Sequence, residues 1–351
     1  MYVLGIETSC DETSASVVKD GKKVLSNVTA SSLSFHQKYG GVVPEIAFRL
    51  QLETVTWVTD SAIKEAGVKL QDMNLVSVTS GPGLLGSLLV GISFAKAVSL
   101  SLDIPLLGIN HLYSHIYASF LQPQMSQIKN PQISQIKYLR NLRLQSAASA
   151  VTPFVALVVS GGHTSLFYVE DFHKVKLLGV TLDDACGEAF DKVAKILGCG
   201  YPGGPIIEQL ARGGDAKKIT FRCSGTKRPL DFSFSGIKTA VLYATRNKHL
   251  GITAKRDLAA SFQEAVIEAL IKKSLLACKS KKTNRLVLGG GVVANNRLRE
   301  RFSEEARKNS ISVYLPSKEL CMDNAAMVAG LGYQLFKKGV RSNLDLTAQL
   351  N

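Results

Sequence analysis

Two histidines four residues apart, His111 and His115, have the clearest potential for chemistry in this sequence. Residues at positions i and i+4 of a helix lie on one face, roughly 6 Å apart along the axis, so both imidazoles can bind one metal ion. A zinc-protease helix would have a glutamate after the first histidine, whereas this chain has Leu112. The alternative interpretation is a pair of half-buried histidines bonded to backbone carbonyls.

Carboxylates in polar turns could complete such a metal site. Asp11, followed by Glu12, lies in the turn ETSCDETS, and Asp323 lies in CMDNAAM. Two histidines and one carboxylate with open positions suit iron(II) or zinc in a catalytic or ligand-binding site. A carboxylate beside a phosphate also needs a metal between them, or acts as a general base. Each aspartate could instead be a turn residue or a helix cap.

Three turns rich in Gly, Ser and Thr each follow an apolar strand: ETSCDETS, VVSGGHTS and LGGGVVAN. Such turns expose backbone N–H groups to phosphate oxygens, and three of them suggest a bound nucleotide. None has the Gly-Lys-Ser/Thr ending of a P-loop or the Gly-x-Gly-x-x-Gly pattern of dinucleotide-binding folds. Both of those classes are therefore disfavoured.

Two of these turns sit inside similar pairs of strands, which would position them in the same way. Residues 2–7 and SASVV flank the first turn, and residues 154–160 and 165–169 flank the second, each pair being followed by helix-like sequence. We interpret this as a duplicated β-hairpin, and therefore as two related lobes facing a cleft. Chance similarity between two hairpins is the alternative.

The remaining strands and helices alternate, which indicates α/β architecture. The helix after the Gly81-Pro82-Gly83 turn is apolar on nearly all sides, which predicts burial. Its small residues between Gly86 and Ala97 would let another helix approach closely, either in the same lobe or in a partner subunit. A polar turn from residue 181 is predicted to enter an amphipathic helix that ends at Gly198. Helices are also predicted over about 255–279 and 323–337, and short strands with a loop over 219–235.

Residues 121–150 differ from the rest of the chain. They repeat Ser-Gln-Ile-Lys and carry several basic residues with no acidic one. This composition predicts a mobile insertion between the lobes. Its basic side chains could contact RNA, with a solvated loop as the alternative.

The charge of the whole chain suggests a polyanionic partner. Its 351 residues carry 42 Lys and Arg against 28 Asp and Glu, a formal net charge of +14. This excess fits RNA binding, although a generally basic proteome would also explain it. Six cysteines without a Cys-x-x-Cys pair indicate reduced thiols in a cytosol. No signal peptide or run of 18 apolar residues is apparent, so we expect a soluble, cytoplasmic protein.

Across these motifs the chain resembles the TsaD/Kae/Qri family of tRNA N6-threonylcarbamoyladenosine synthase subunits, once described as O-sialoglycoprotein endopeptidases. The similar segments run in order over nearly the whole chain outside 121–150: GIETSCDET, GGVVPEIA, TSGPGLLGSL, the His111/His115 helix, VVSGGHT, DDACGEAFDKVAKILG, YPGGP, DFSFSGIKTA, GGGVVANNRLR and CMDNAAM. The resemblance implies a two-lobed actin-like ATPase fold, shared with Hsp70 and sugar kinases. We expect an N-terminal lobe over 1–120, joined by a helix at about 325–351, and a C-terminal lobe over 151–324.

The resemblance also implies a site and a reaction. Metal ligands would be His111, His115 and Asp323, with Asp11 and Glu12 as the acidic catalytic pair. Substrate or nucleotide contacts would come from Val158, Val159, Ser160, Gly161, Gly162, Asp191, Gly204 and Asn295. Taken alone, Asp191 could be a solvent-facing helix acid paired with a nearby lysine. The implied reaction transfers a threonylcarbamoyl group from threonylcarbamoyl-AMP to N6 of adenosine 37 in tRNAs that read ANN codons.

The implied cofactor is one divalent metal ion, Fe²⁺ or Zn²⁺. The implied partners are tRNA, a paralogous TsaB-like subunit docked on the Gly86–Ala97 helix, a TsaE-like ATPase, and a TsaC-like synthase that supplies the adenylate. Phe48 and Gln51 depart from the family pattern, where we expect a small residue and a histidine. The competing functions are a metalloprotease and a small-molecule kinase of the same fold.

Overall fold

The computed structural model describes residues 1–122, 152–246 and 250–349. The described chain divides into two compact units: unit 1 comprises residues 1–122 and 322–349, and unit 2 comprises residues 152–321. The predicted basic insertion at 121–150 lies, apart from its first two residues, outside the described residues. The lobe boundaries expected from the sequence stay a prediction.

Each unit contains a five-stranded sheet, and the two sheets have the same topology. In unit 1 the strands are β1 Tyr2–Glu7, β2 Glu12–Lys19, β3 Lys23–Ser31, β4 Leu75–Gly81 and β5 Leu106–Asn110. In unit 2 they are β6 Phe154–Val159, β7 Thr164–Asp171, β8 Lys174–Val180, β9 Arg285–Gly289 and β10 Ser312–Tyr314. The spatial orders are β3-β2-β1-β4-β5 and β8-β7-β6-β9-β10.

The direction of pairing is also repeated. The first three strands of each unit form an antiparallel meander, and the last two are added parallel to the first strand. The predicted duplication and the α/β class are therefore confirmed. The prediction that helix follows each hairpin is wrong, because the chain continues into a third strand, β3 or β8.

Helices surround the sheets within each unit. Those of unit 1 are α1 Leu33–His36, α2 Pro44–Ala66, α3 Leu85–Leu102, α4 His111–Tyr117 and α10 Ala325–Lys337. Those of unit 2 are α5 Cys186–Ile196, α6 Gly203–Ala211, α7 Ser235–Thr245, α8 Ile252–Ser280 and α9 Asn296–Lys308. The short strands predicted within 219–235 are absent from this described segment, which has one isolated bridge, between Thr181 and Phe232.

The cores explain why the central strands are so apolar. Strands β1, β4 and β6 are almost completely buried, as expected for strands covered on both faces. In unit 2 the rings of Phe190 and Phe262 meet edge to face, with their centroids 5.0 Å apart, between α5 and α8. These aromatic contacts anchor α5 against the longest helix of the unit.

Helix α3 is buried on one side only, contrary to the prediction from its composition. Leu85, Leu89 and Leu100 are 50%, 47% and 69% exposed. The small residues serve contacts within unit 1: a Cβ at Gly86 would lie 2.8 Å from the Phe48 ring, and one at Gly91 would lie 2.3 Å from Thr8 Oγ1. The helix that approaches α3 closely is thus α2 of the same unit.

By length and composition, α3 is also the one helix among the described residues that could cross a membrane. It has 18 residues and a mean hydropathy of 1.7, and 44% of it is buried. Serines and Lys96 interrupt its apolar run. The mean hydropathy of α3 therefore reaches the level of a membrane-spanning helix, although the helix is not an uninterrupted run of apolar residues.

Strand β1 lies unusually close to the beginning of α10. A Cβ added at Gly5 would lie 2.2 Å from the carbonyl oxygen of Ala325 and 2.9 Å from Ala329 Cβ. Both neighbours belong to the first turns of α10, directly after Asp323. This contact places the beginning of α10, from near the end of the chain, against the central strand of the first sheet.

We predict that Gly5→Ala lowers the free energy of unfolding of unit 1 by roughly 1–3 kcal/mol, because the extra methyl group would force β1 and α10 apart. Thermal or urea denaturation followed by circular dichroism measures the effect. Gly41→Ala is the matched control, because a Cβ there would meet nothing within 4 Å. Equal stability of the two variants would contradict the proposed tight contact.

Candidate metal centre and anion-binding turns

Helix α4 begins directly after strand β5 and carries both histidines. The Asn110 side chain caps this helix by accepting a hydrogen bond from the backbone N–H of Tyr113 at 3.1 Å. His111 and His115 are buried, and their ring centroids lie 4.6 Å apart with the rings nearly perpendicular. The cap and the strand end therefore fix both imidazoles on one face of a short helix.

Asp323 joins the two histidines from the opposite end of the chain. Its Oδ1 lies 3.0 Å from His115 Nε2 and 3.6 Å from His111 Nε2. The cap of α10 is Asn324, which accepts from Met327 N at 3.0 Å. Of the two residues that could have served only as a helix cap, Asn324 is the cap, whereas Asp323 faces the histidines.

These three residues fit a metal ion. One ligand atom from each of His111, His115 and Asp323 lies within 4.8 Å of the others. Two imidazole nitrogens and one carboxylate oxygen are a donor set used for zinc and non-haem iron. His115 Nδ1 is buried and has no hydrogen-bond partner among the described residues, so its other nitrogen, Nε2, provides the ring's contact with the cluster.

Carboxylates crowd the same place and make it favourable for a cation. Burial would lower the pKa of His111, but the negative charges of Asp323 and Glu7 raise it to about 9. Burial raises the pKa of Glu12 to about 9 as well, reinforced by Asp323 and Asp11. In the metal-free protein, protons on His111 and Glu12 therefore balance negative charge in the cluster, and a bound cation would take over this role.

Glu7 and Ser9 belong to this site and were missed by the sequence analysis. Glu7 Oε2 lies 3.0 Å from His111 Nδ1, and Ser9 Oγ lies 3.1 Å from the same nitrogen. Glu7 is completely buried. A glutamate as the last residue of an otherwise apolar buried strand was the available signal, since buried carboxylates are almost always paired.

Asp11 ends the turn from β1 to β2, and Glu12 is the first residue of β2. Burial raises the pKa of the Asp11 carboxyl, and the charge of Asp323 raises it further, whereas a hydrogen bond with Cys10 opposes the shift. The Asp11 carbonyl oxygen accepts from Ser32 Oγ at 2.6 Å and from Ser32 N at 3.1 Å. The turn is thus held at its backbone, while the Asp11 carboxyl has a basicity shifted towards neutral pH.

Gln51, which stands where the family pattern has a histidine, has a structural role in this turn. The Gln51 Nε2 group donates to the carbonyl oxygens of Cys10 at 3.0 Å and Glu12 at 3.1 Å, with Thr8 at 3.4 Å. Gln51 is itself buried. The side chain therefore supplies N–H groups to carbonyls that the irregular turn leaves without strand partners.

We predict that Gln51→Leu destabilises unit 1 by about 1–3 kcal/mol, because buried carbonyl oxygens of the turn lose their donor. The melting temperature measured by calorimetry should fall, whereas Gln71→Leu, at an exposed position, should leave it nearly unchanged. Wild-type stability of Gln51→Leu would mean that the amide does not hold the turn.

Unit 2 has a second turn at the corresponding place, between β6 and β7. Ser160 N donates to His163 O at 2.8 Å, and His163 N donates to Ser160 Oγ at 3.1 Å. These bonds close the turn and leave Gly161 and Gly162 at its tip. A Cβ at either glycine would meet nothing within 4 Å, so their backbone is open to a ligand. The predicted contacts Val158 and Val159 are buried in β6 just before the turn.

Two helices begin beside this turn. Gly187 N, in the first turn of α5, donates to Ser160 O at 3.1 Å. Asp191, one turn further along α5, accepts from Gly203 N at 2.7 Å, where α6 begins. The alternative of a solvent-facing Asp191 paired with a lysine is wrong, because this carboxylate binds the N-terminus of α6. Burial raises its pKa, whereas the bonds from Gly203 and Gly204 lower it.

Asn295 caps a third helix, α9. Its Oδ1 accepts from Leu298 N at 2.9 Å, and its Nδ2 donates to Gln263 Oε1 at 2.8 Å. The preceding Gly290 lies so close to β6 that a Cβ there would be 2.4 Å from Val159 O. The structure therefore brings the Ser160–Gly162 turn and the Gly289–Gly291 turn to the same end of β6, and the phosphate-binding site suggested by these turns stays a prediction.

A cavity of about 640 Å³ adjoins α6 and α9 in unit 2 and is lined by Gln263, Glu208 and Asn296, among others. Glu208 Oε1 accepts from Asn296 N at 3.1 Å and from Asn296 Nδ2 at 2.6 Å. Gln263 also bonds Asn295. The cavity is thus lined by residues that lie close in sequence to the predicted ligand contacts Gly204 and Asn295.

Together, the duplicated sheets define a protein of the actin-like ATPase fold, and the His-His-Asp cluster in unit 1 is compatible with a metal site. Solved structures support the fold. HypF from T. kodakarensis has a TM-score of 0.61 at 14% identity, over 98% of this chain and 49% of that one. The activator of 2-hydroxyisocaproyl-CoA dehydratase from Clostridium difficile has a TM-score of 0.50 at 13% identity, over 98% and 99% of the two chains. The predicted fold class is confirmed.

Sequence comparison identifies the family. The family described as "TsaD: tRNA N6-adenosine threonylcarbamoyltransferase" matches residues 23–137 and 136–330. The tRNA N6-adenosine threonylcarbamoyltransferase of Thermosipho africanus is 47% identical over 352 residues, covering 100% of this chain and 99% of its own. That of Symbiobacterium thermophilum is 48% identical over 347 residues, covering 99% and 95%. The chain belongs to the TsaD family.

Proposed function

We propose that this protein is an acyltransferase that moves the threonylcarbamoyl group of threonylcarbamoyl-AMP to N6 of adenosine 37 in tRNAs reading ANN codons, releasing AMP. The observation that carries the proposal is the full-length similarity to tRNA N6-adenosine threonylcarbamoyltransferases, together with ligating geometry at His111, His115 and Asp323. The net charge of +14 suits a tRNA substrate.

His111, His115 and Asp323 would hold one divalent ion, with Fe²⁺ favoured and Zn²⁺ possible on the basis of the donor set. When bound, such an ion supplies Lewis-acid stabilisation of negative charge on a phosphate. The histidines contribute neutral nitrogen ligands from a buried helix face, and the carboxylate compensates part of the ionic charge. Both histidines are buried, whereas Asp323 is partly exposed, so the site would keep an accessible side at this carboxylate.

The unit 2 residues would bind the adenylate through their backbone. After Ser160, whose N–H closes the turn, Gly161 and Gly162 offer N–H groups at an unobstructed tip, and the N-termini of α5, α6 and α9 add positive electrostatic potential. Asp191 would act indirectly by fixing Gly203 and Gly204 at the start of α6. We assign the nucleoside part of the ligand to the cavity beside Gln263 and Asn296, whose volume suits a small ligand.

Asp11 would accept the proton lost by the attacking adenine amine, directly or through water. Its burial keeps the carboxyl more basic than a surface aspartate, as a general base near neutral pH requires. Glu12, the second predicted catalytic residue, would shape the charge of the site next to Asp11. Since an exocyclic amine is a poor nucleophile, most of the rate should come from alignment and leaving-group stabilisation.

Neither competing function has comparable support. A protease of the zinc-helix type needs a glutamate after the first histidine, and Leu112 occupies that place. A small-molecule kinase would share the fold, but the relatives that match the full length are named as tRNA-modifying transferases. We therefore favour the transferase function over the protease and the kinase.

The proposed partners follow from membership of the family. A paralogous TsaB-like subunit would bind unit 1 through the exposed side of α3, where Leu85 and Leu89 lie one turn apart. Exposed leucines at this spacing form an apolar stripe suited to a helix from another protein. A TsaE-like ATPase and a TsaC-like synthase would complete the cytoplasmic pathway.

We predict that His115→Ala and Asp323→Ala each reduce transfer from labelled threonylcarbamoyl-AMP to an unmodified ANN-decoding tRNA by at least about 100-fold, because each removes a metal ligand. The assay contains the partner subunits, and bound metal is measured in parallel. His173→Ala, an exposed histidine, should behave as wild type. Normal transfer by the metal-depleted variants would exclude a role of the metal.

We predict a different pattern for Asp11→Asn: metal content and adenylate binding stay at wild-type levels, whereas the maximal rate falls by roughly 100-fold or more because the proton acceptor is lost. Single-turnover transfer with saturating tRNA measures the rate of chemistry. Near-normal rates with intact metal and ligand binding would show that Asp11 is not the base.

A further inference from the structure

The Glu7 carboxylate is held on both of its oxygens inside unit 1. Oε1 accepts from Ser9 N at 2.6 Å, and Oε2 accepts from Thr79 Oγ1 at 2.5 Å. Oε2 also lies 3.0 Å from His111 Nδ1. With no solvent contact and donors on each oxygen, the carboxylate cannot rotate away from the imidazole.

This arrangement decides which nitrogen of His111 carries the proton. A carboxylate only accepts hydrogen bonds, so Nδ1 must be the donor. Ser9 Oγ also lies near Nδ1, but a hydroxyl can donate or accept and therefore does not select a tautomer. When His111 is neutral, as a metal ligand must be, its remaining proton is therefore on Nδ1 and its lone pair is on Nε2, the atom on the Asp323 side of the ring.

We propose that Glu7 is a positioning residue that orients His111 and fixes its tautomer, so that Nε2 is presented to the metal ion. This inference rests on the metal centre of the proposed function. Carboxylates that bond the outer nitrogen of a metal-binding histidine commonly raise metal affinity. Glu7 is therefore required for tight metal binding although it is not itself a ligand.

The two histidines differ in this respect, which makes Glu7 more important. His115 Nδ1 has no hydrogen-bond partner among the described residues, so no neighbouring group there selects its tautomer. Within the ligand pair, only His111 thus has a carboxylate that selects its tautomer, and Thr79 and the Ser9 backbone hold that carboxylate in place. Strand β1 delivers Glu7 and β4 delivers Thr79, so the sheet itself supports the metal ligand.

Glu7→Gln tests this arrangement with almost no change of shape. The glutamine must place its oxygen towards Ser9 N, because the opposite orientation would put two donors together. Its NH₂ group then faces His111 Nδ1 and turns that nitrogen into an acceptor. In the neutral ring the proton then prefers Nε2, which weakens metal binding, whereas the carboxylate of the wild type keeps Nε2 free.

We expect Glu7→Gln to bind Zn²⁺ about 10–100-fold more weakly than wild type, measured on metal-depleted full-length protein by competition with a chromogenic chelator. Asp231→Asn is the matched control, because Asp231 is an equally buried carboxylate that accepts from Val180 N in unit 2. The control should bind Zn²⁺ with wild-type affinity. Wild-type affinity of a folded Glu7→Gln protein would overturn the inference alone, and absence of Zn²⁺ binding by wild type would overturn the metal centre with it.

A second measurement needs no variant and so does not depend on whether Glu7→Gln folds. Histidine-selective ¹⁵N NMR of the Zn²⁺-bound wild-type protein should show His111 protonated at Nδ1 and bound to metal through Nε2. Binding through Nδ1, or a proton on Nε2, would refute the role of Glu7.

Discussion

The close contact between strand β1 and the first turn of α10 is the constraint on which unit 1 depends. Asp323 and His115 are 208 residues apart, yet their side chains meet at 3.0 Å. Gly5 permits this because its missing side chain leaves room for the Ala325 carbonyl. The same strand ends in Glu7, which contacts His111, and leads to Asp11. One buried strand therefore helps to position both Asp323 and His111 of the candidate metal centre.

The duplicated sheet explains why two chemically different turns occupy equivalent positions. The turn after β1 carries acidic residues and the turn after β6 carries glycines, although the strands around them pair identically. In unit 1 the turn is shielded, and Gln51 satisfies its carbonyls. In unit 2 the tip at Gly161 and Gly162 is open. A repeated scaffold thus provides one turn suited to a cation and one suited to an anion.

Much of this arrangement could be predicted from the sequence because strand periodicity and turn composition are local signals. The paired hairpins and the histidine helix were expected from short motifs. The family resemblance added Asp323 to the two histidines, and the geometry brings His111, His115 and Asp323 together. The third strands were missed because their register depends on pairing with β2 and β7, which is not local. Glu7 and Gln51 were missed as site residues for a similar reason: their importance lies in hydrogen bonds to residues distant in sequence. The exposed side of α3 was missed because composition cannot distinguish a helix buried on all sides from one with an unpartnered apolar side.

The most direct measurement of the central claim is the stoichiometry of the reaction. The purified protein, with its partner subunits, is given threonylcarbamoyl-AMP and an unmodified ANN-decoding tRNA, and both AMP and tRNA nucleosides are quantified by mass spectrometry. The account predicts one AMP released for each threonylcarbamoyladenosine formed, and no product with a tRNA that lacks the target adenosine. AMP release without nucleoside modification, or no reaction under any combination of partners, would contradict it.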